Sequence, residues 1–329
     1  MNDRKTNCVN IASVFKTSVG SVNSSFSEDN ITIVKKITLP NGRELPYISG
    51  QAMRYYIREK WREMEWKISP VKQTKTAISK AASSACDPHE YIDDDLFGFL
   101  LAAGNGKKRT SAVRVSPAIG FFPFQDDRDL GVRITEEGKK DPTKMMPPFE
   151  TEVYYNYFHS HILIELDRIG VFNDDYYGKE KAPQNLPRED KNNPEKSKVG
   201  RIEALINAIH DLWGGGKQAR FLTDISPKLV IYTRQTAKKP IFLERLEMDA
   251  EDEKVRVESI TKTLEDESHI VEEVIIGAAE GFGGFSVGEV LKYKGENDTE
   301  KSIAVLSLKN AFESMLKDIS STSRRKGLK

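Results

Sequence analysis

Alternating apolar and polar residues predict β-structure at the start of the chain. Asn10–Thr17 is predicted as a β-strand, and isoleucines at even spacing predict a second strand over Ile31–Thr38. The turn signal Pro40-Asn41-Gly42 follows, because proline fixes φ and Asn-Gly tolerates positive φ. The chain therefore opens with two strands that end at a turn.

A helical period follows this turn. Met53, Ile57 and Trp61 recur every four residues behind Ser49, which can cap a helix running to about Trp66. A second apolar stripe at helical spacing predicts a helix over Arg201–Trp213. Strand patterns also occupy Val153–Gly170 and Leu229–Thr233, so strands and helices interleave and the fold class is α+β.

The segment from Asn173 to Gly200 breaks this pattern. Leu186 and Val199 are its only branched aliphatic residues, and three prolines separate its charges. A loop of this length is unusual inside a compact domain unless it has a function or is disordered. We predict a functional loop without a buried face.

Composition narrows the class of protein. With 329 residues, of which 38% are hydrophobic, the chain can bury one large core or two modest ones. It has no apolar run long enough to span a bilayer, and its polar N-terminus lacks a secretory signal. Two cysteines, Cys8 and Cys86, cannot build a disulfide framework. We expect a cytoplasmic protein that does not contact membranes.

Zero net charge conceals a strong asymmetry along the chain. Residues 35–80 carry eleven Lys or Arg against four Asp or Glu, whereas residues 244–300 carry seventeen acids against six bases. Such a chain can bind a polyanion with one face, although a charge run by itself more often only solvates a surface.

Two short motifs could hold phosphate. Ser49-Gly50-Gln51 opens the first helix, where free N–H groups favour anions, and Arg54 lies one turn further on; an ordinary capped helix is the alternative. Gly214-Gly215-Gly216-Lys217 lacks the spacing of a nucleotide-binding P-loop, but it lets backbones approach closely and is followed by Arg220. A plain helix C-cap is the alternative there.

No motif demands catalysis. His159 and His161 would share one face of a strand, but no further ligand stands at metal-binding spacing. The run Asp93-Asp94-Asp95 precedes apolar residues, as helix-capping acids do. We therefore expect no catalytic residue, no metal and no cofactor.

Several stretches, taken in order, resemble one known family. They are Leu45-Pro46-Tyr47-Ile48-Ser49-Gly50-Gln51-Ala52-Met53-Arg54, Asp95–Gly98, Arg109–Ala118, Leu166–Gly170 and Gly215–Arg220. With these stretches the chain is similar to the backbone subunit of CRISPR Cascade complexes (the Cas-seven family, DevR-type, of type I systems, subtype I-B).

The resemblance implies an RRM-like, modified ferredoxin-like core with long insertions. Residues 1–66, 126–170 and 201–329 would form the palm, with the acidic C-terminal region in the last part. Residues 67–125 would form the fingers and 171–200 the thumb. Copies would polymerise head to tail along a CRISPR RNA, beside other Cascade subunits, and target DNA would pair with that guide in antiviral defence. The RNA-binding residues would be Ser49, Gly50, Gln51, Arg54, Arg58, Arg109, Arg114, Gly215, Gly216, Lys217 and Arg220.

Two other functions stay open at this point. Type III relatives of the family cleave RNA with a loop aspartate, which Asp29 or the Asp93–Asp95 run could imitate. A stand-alone nucleic-acid-binding autoregulator is the other, since the DevR name refers to developmental autoregulation. It would bind one operator and form no filament.

Overall fold

A large mixed β-sheet organises the chain, with helices and loops covering both of its faces. The computed structural model describes residues 8–28, 30–75, 80–101, 106–132, 134–141, 143, 147–173, 175, 177 and 180–325. Across these residues, no helix combines the length and apolar character that a bilayer crossing requires.

Seventeen strands and seven α-helices are assigned within the described residues. The strands are β1 Cys8–Gly20, β2 Ser24–Glu28, β3 Ile31–Val34, β4 Lys36–Thr38, β5 Glu44–Ile48, β6 Lys72–Lys75, β7 Lys80–Ser83, β8 Phe99–Leu101, β9 Lys107–Arg109, β10 Val113–Val115, β11 Ala118–Gly120, β12 Asp127–Gly131, β13 Phe149–Glu165, β14 Leu229–Gln235, β15 Val271–Ala278, β16 Val290–Lys294 and β17 Glu300–Ser307. The helices are α1 Gly50–Glu63, α2 Ile92–Phe97, α3 Glu136–Lys140, α4 Lys198–His210, α5 Gln218–Phe221, α6 Val257–Asp266 and α7 Leu308–Arg325.

The main path through the sheet is β16-β17-β15-β14-β1-β13-β11-β5-β4. Most neighbours are antiparallel, whereas β15–β17 and β13–β3 are parallel, so the sheet is mixed. Side chains alternate across a strand. Val9 and Ile11 of β1 therefore enter one hydrophobic core, and Ala12 and Val14 enter another on the opposite face.

Helices α1, α4 and α7 cover the first face. The four-residue repeat of Met53, Ile57 and Trp61 is buried as the sequence predicts. Trp61 donates its indole N–H to the Ala204 carbonyl on α4 at 3.1 Å, which joins the two helices. This packing fixes the direction in which α1 presents its N-terminus.

The acidic C-terminal region covers the second face and extends the sheet. Ile260 and Leu264 of α6 are buried against β14 and β15, beside Phe242 and Phe285. Strands β15, β16 and β17 continue the sheet beyond β14. Acidic residues in this region thus lie on elements that are themselves anchored by a core.

The prediction that residues 173–200 lack a buried face is wrong. Tyr177 and Leu186 are buried together with Phe172 in a small cluster that also contacts Phe99. The Leu186 backbone N–H donates to the Gly170 carbonyl at 2.9 Å. Single side chains, widely spaced in the sequence, anchor this loop to the rest of the molecule. Such an arrangement leaves no periodic pattern in the sequence from which it could be predicted.

Several predicted bounds also shift. The segment Ile31–Thr38 forms two strands, β3 and β4, that pair with different neighbours. Helix α1 ends at Glu63 because Glu65 adopts a left-handed φ of 62°. Strand β13 ends at Glu165, and a turn occupies 166–170. Helix α4 begins at Lys198, capped by Ser197, so its first turn lies inside the predicted loop.

Three short strands and the start of β13 form a sheet extension, which we define as β2, β3, β12 and Phe149–Val153. Thr151 of β13 stands between two neighbours: Thr32 of β3 on one side and Asp129 of β12 on the other. Leu130 and Val132 at its edge are largely exposed. The extension thus places a polar row of three side chains across adjacent strands.

Candidate nucleic-acid interface

The N-terminus of α1 offers a helix end with a nearby cation. Ser49 caps it, since its hydroxyl accepts from the Ala52 N–H at 3.2 Å. Gly50 is required by close packing, because a Cβ there would lie 2.6 Å from the Val115 carbonyl oxygen. Gln51 is exposed at the open end of the helix. Free N–H groups at such an end favour an anion.

Arg54 lies one turn into α1 and is half-buried. Within the described residues it has no hydrogen bond or ion pair with an acid. Burial, and secondarily the charge of Arg58, lower the pKa of its guanidinium. A cation placed there without a carboxylate gains from any anion that approaches.

The glycine loop, Gly214–Lys217, runs against α1. A Cβ on Gly214 would lie 2.3 Å from the Tyr56 ring, and one on Gly216 would lie 2.6 Å from the Ser21 carbonyl oxygen. The Gly216 N–H donates to the Val22 carbonyl at 2.7 Å. The glycines therefore serve close approach to α1 and to the β1–β2 turn. They are not the cap of α4, which is Asp211.

Two cations lie at the end of the glycine loop and just after it, in α5. Lys217, which adopts a left-handed φ of 54°, donates to the hydroxyls of Thr32 at 2.8 Å and Thr151 at 2.7 Å. Arg220 donates to the same Thr151 hydroxyl at 3.1 Å and forms an ion pair with Asp129. The loop thus connects the α1 side of the molecule to the sheet extension.

The remaining arginines of α1 are already engaged. Arg58 donates to an Asp93 carboxylate oxygen at 2.9 Å and lies over the Phe97 ring. Arg62 pairs with Glu59 on the same helix. Of the three arginines of α1, Arg54 alone is therefore without an acidic partner among the residues that the structure describes.

Arg109 does not belong to the interface, which corrects the prediction from its motif. Its side chain is fully buried and pairs with Asp95 and Asp175. It also donates to the Val171 carbonyl at 2.9 Å. The Asp175 and Val171 contacts hold Arg109 against the loop 171–200, and with the Asp95 pair they leave no donor of Arg109 for RNA.

Arg114 is also separated from α1. Its neighbours Val113 and Val115 pack into the core beneath α1, so alternation along β10 directs Arg114 to the opposite face. There it pairs with Glu165, which Lys238 also contacts at 2.6 Å. The structure thus packs the glycine loop against Tyr56 of α1, the helix that also carries the capped start and Arg54, and it does not bring Arg109 or Arg114 there.

Residues 11–258 match a family model described as "DevR: CRISPR-associated negative auto-regulator DevR/Csa2", which spans well over half of the chain. The chain belongs to the DevR/Csa2 family. A relative from Myxococcus xanthus (strain DK1622), described as "CRISPR-associated protein Cas7/Cst2/DevR", is 23% identical over 305 residues. That alignment covers 84% of this chain and 89% of the relative.

Solved structures show the same fold as this DevR/Csa2 protein. A chain of a "CRISPR RNA-guided surveillance complex" aligns with a TM-score of 0.55 at 12% identity, covering 94% of this chain and 99% of the other. A chain of a "CRISPR RNA-guided surveillance complex, pre-nicking" aligns with a TM-score of 0.56 at 11% identity, covering 95% and 100%. At this identity the likeness shows the architecture.

The Asp93–Asp95 carboxylates suggested for a nuclease are structural in this DevR/Csa2 protein. Asp93, Asp94 and Asp95 lie inside α2 rather than capping it, and all three are buried. Asp94 accepts from the Ser69 hydroxyl at 3.0 Å, and Asp95 accepts from Arg201 at 2.6 Å. Among the residues described, no group of three His, Cys, Asp or Glu side chains is arranged to hold a metal ion. Asp29 lies outside the described residues.

The two histidines are packed side by side. His159 Nδ1 lies 3.1 Å from His161 Nε2, and the His159 ring contacts Phe121. Burial lowers the pKa of His159 to about 4 and that of His161 to about 3. Both rings are therefore neutral at pH 7, as expected for a packed pair.

Sequence reasoning missed four residues that shape the interface. Tyr56 packs against the glycine loop. The hydroxyls of Thr32 and Thr151 accept hydrogen bonds from Lys217, and Thr151 and Asp129 contact Arg220. These four come from separate segments, and each is an ordinary residue of its own element. Only the pairing of β3, β12 and β13 places three of them in one row.

Proposed function

We propose that this protein is the CRISPR RNA-binding backbone subunit of a type I Cascade surveillance complex. The observation that carries the proposal is the packing of the glycine loop, which leads to Lys217 and Arg220, against α1, the helix that carries the capped N-terminus and the unpaired Arg54. Family membership and the fold shared with chains of RNA-guided surveillance complexes support it.

The proposed interface suits an RNA backbone rather than particular bases. Helix N–H groups and guanidinium or ammonium donors bind phosphate oxygens, which every nucleotide carries. Binding of this kind is independent of sequence and weakens as salt rises. A subunit with these contacts can hold any guide while leaving base edges free for target DNA.

We also propose the finer organisation that the family resemblance implies. The palm would be RRM-like, residues 67–125 would be fingers, and the loop 171–200 would act as a thumb although it is anchored to the body. Copies would assemble head to tail, beside other Cascade subunits, in a prokaryotic cytoplasm and in a subtype I-B system. Cleavage of nucleic acid would be left to another protein, and no cofactor would be needed.

A DNA-binding autoregulator is a second candidate, because the matched family model is itself described as a negative auto-regulator. This function would require specific recognition of one operator by a defined oligomer. Phosphate contacts alone do not supply such recognition, since sequence is read from base edges or from DNA shape.

Native mass spectrometry with unrelated RNAs of stepped length distinguishes the two candidates. The backbone proposal predicts that the number of protein copies per RNA rises by one for each fixed increment of nucleotides, without added metal. A constant stoichiometry of one, or assembly on a single DNA operator only, would overturn it. Cutting of the RNA once a divalent metal is supplied would instead support the nuclease.

A further inference from the structure

Lys217 and Arg220 meet at one hydroxyl. The Thr151 Oγ1 atom receives Lys217 Nζ at 2.7 Å and an Arg220 Nη1 donor at 3.1 Å. Thr32, next to Thr151 across the strands, receives Lys217 Nζ as well. Two cationic side chains are therefore held close together over the sheet extension by neutral acceptors.

One carboxylate compensates this pair of cations. Asp129, on the other side of Thr151 in the same row, forms an ion pair with Arg220. Burial lowers the pKa of Lys217, the nearby charge of Arg220 lowers it further, and Asp129 opposes both effects. With two positive charges and one negative charge, the cluster keeps an excess of one positive charge.

The arginine is oriented by more than this ion pair. Its guanidinium lies over the rings of Phe149, at 5.2 Å, and Phe221, at 5.1 Å. Planar stacking of this kind holds a guanidinium in place when its anionic partner changes. The aromatic contacts and the Thr151 hydroxyl would therefore keep Arg220 in position if Asp129 moved away.

We propose that Lys217, Arg220 and Thr151 form a phosphate subsite, and that the Asp129 carboxylate occupies it until an RNA phosphodiester displaces it. This inference rests on the proposed function, because it takes the ligand to be the RNA backbone. A phosphodiester carries one negative charge and several acceptor oxygens, so it can replace the carboxylate on Arg220 and also reach Lys217. Asp129 then sets the affinity of the subsite.

The exposure of the ion pair makes such an exchange feasible. The side chains of Arg220 and Asp129 are 31% and 41% exposed, so water can solvate the carboxylate as it leaves. An exposed pair changes an equilibrium only about two- to fivefold, which a phosphate contact can outweigh. Because Asp129 belongs to β12, the exchange also releases an ion pair that ties α5 to the sheet extension.

The test compares Asp129→Asn with Asp127→Asn on the full chain. Asp127 lies two residues away on the same strand and has no cationic partner within the described residues, so both variants change the net charge equally. Binding of an unrelated fluorescent single-stranded RNA is measured by anisotropy at two salt concentrations. We expect Asp129→Asn to bind about two- to fivefold more tightly than Asp127→Asn.

A double variant with Arg220→Ala completes the test. We expect Arg220→Ala to bind more weakly than the wild type, and Asp129→Asn to give no further gain in that background. Equal affinities of Asp129→Asn and Asp127→Asn, or weaker binding by Asp129→Asn, would overturn the displacement proposal while Arg220→Ala still reports on RNA binding. If Arg220→Ala binds as the wild type does and copies per RNA do not rise with length, the proposed function itself fails. Asp129→Ser provides the same comparison if Asp129→Asn does not fold.

Discussion

Two regions of the molecule hold arginines in opposite ways. In the buried cluster around Asp95, Arg109 and Arg201 are fully buried and share the Asp95 carboxylate, while Asp175 is a second acid paired with Arg109. On the candidate RNA face, Arg54 has no carboxylate within the described residues, and Arg220 has an exposed one. Buried arginines with matched acids support the fold, whereas accessible cations with too few acids are available to phosphate.

The largest effect is expected from a change in the buried cluster around Asp95. Asp95→Ala leaves Arg109 and Arg201 without their shared carboxylate, and removing one partner of a buried ion pair costs about 3–5 kcal/mol. We expect a loss of this size in the free energy of unfolding, measured by urea denaturation.

Glu300→Ala serves as the control for Asp95→Ala. Its partner is Lys292, and both side chains are about two-thirds exposed, so this pair contributes little to stability. We expect a change below about 0.5 kcal/mol. Similar losses for Asp95→Ala and Glu300→Ala would contradict the structural role of the buried cluster.

A second test concerns His159 and His161, two ionisable side chains that are buried against each other. Burial holds the pKa of His159 at about 4 and that of His161 at about 3, below the ordinary value near 6.5. Unfolding therefore takes up protons at acidic pH. The stabilisation from the neutral rings is complete above about pH 6.5 and is lost as the pH falls towards the folded-state values.

At pH 5 this effect lowers the free energy of unfolding by roughly 2 kcal/mol for each histidine, relative to pH 7. Urea denaturation at pH 7 and pH 5 measures it, and the His159→Gln/His161→Gln double variant should show a much smaller difference. An equal pH dependence in the wild type and the double variant would show that other groups control stability in this range.

Local patterns predicted the start and the buried face of α1 correctly. Ser49 caps α1, and Met53, Ile57 and Trp61 are buried at helical spacing, because helix formation and burial depend on residues within a few turns. Gly216 of the glycine triplet makes the close approach to other backbone that its composition indicates, whereas Gly214 packs on the Tyr56 ring. These features require no knowledge of distant segments.

The roles of the individual cations could not be predicted in the same way. Arg109 is separated from Asp175 by 66 residues, and Arg220 from Asp129 by 91. Whether an arginine is buried and neutralised depends on which distant acid the fold brings to it. A basic motif in the sequence therefore indicates a source of positive charge, but not whether RNA can reach it.

The most direct test of guide-RNA binding by this face is the salt dependence of RNA binding by Arg54→Ala. Losing one phosphate contact should weaken binding of unrelated single-stranded RNAs about equally, and it should reduce the slope of log affinity against log salt by about 0.7 to 1. Arg62→Ala is the matched control, because Arg62 lies on the same helix and is paired with Glu59. We expect a reduced slope of log affinity against log salt for Arg54→Ala and an almost unchanged slope for Arg62→Ala. The same slope for Arg54→Ala and the wild type would contradict the assignment of this face to the guide RNA.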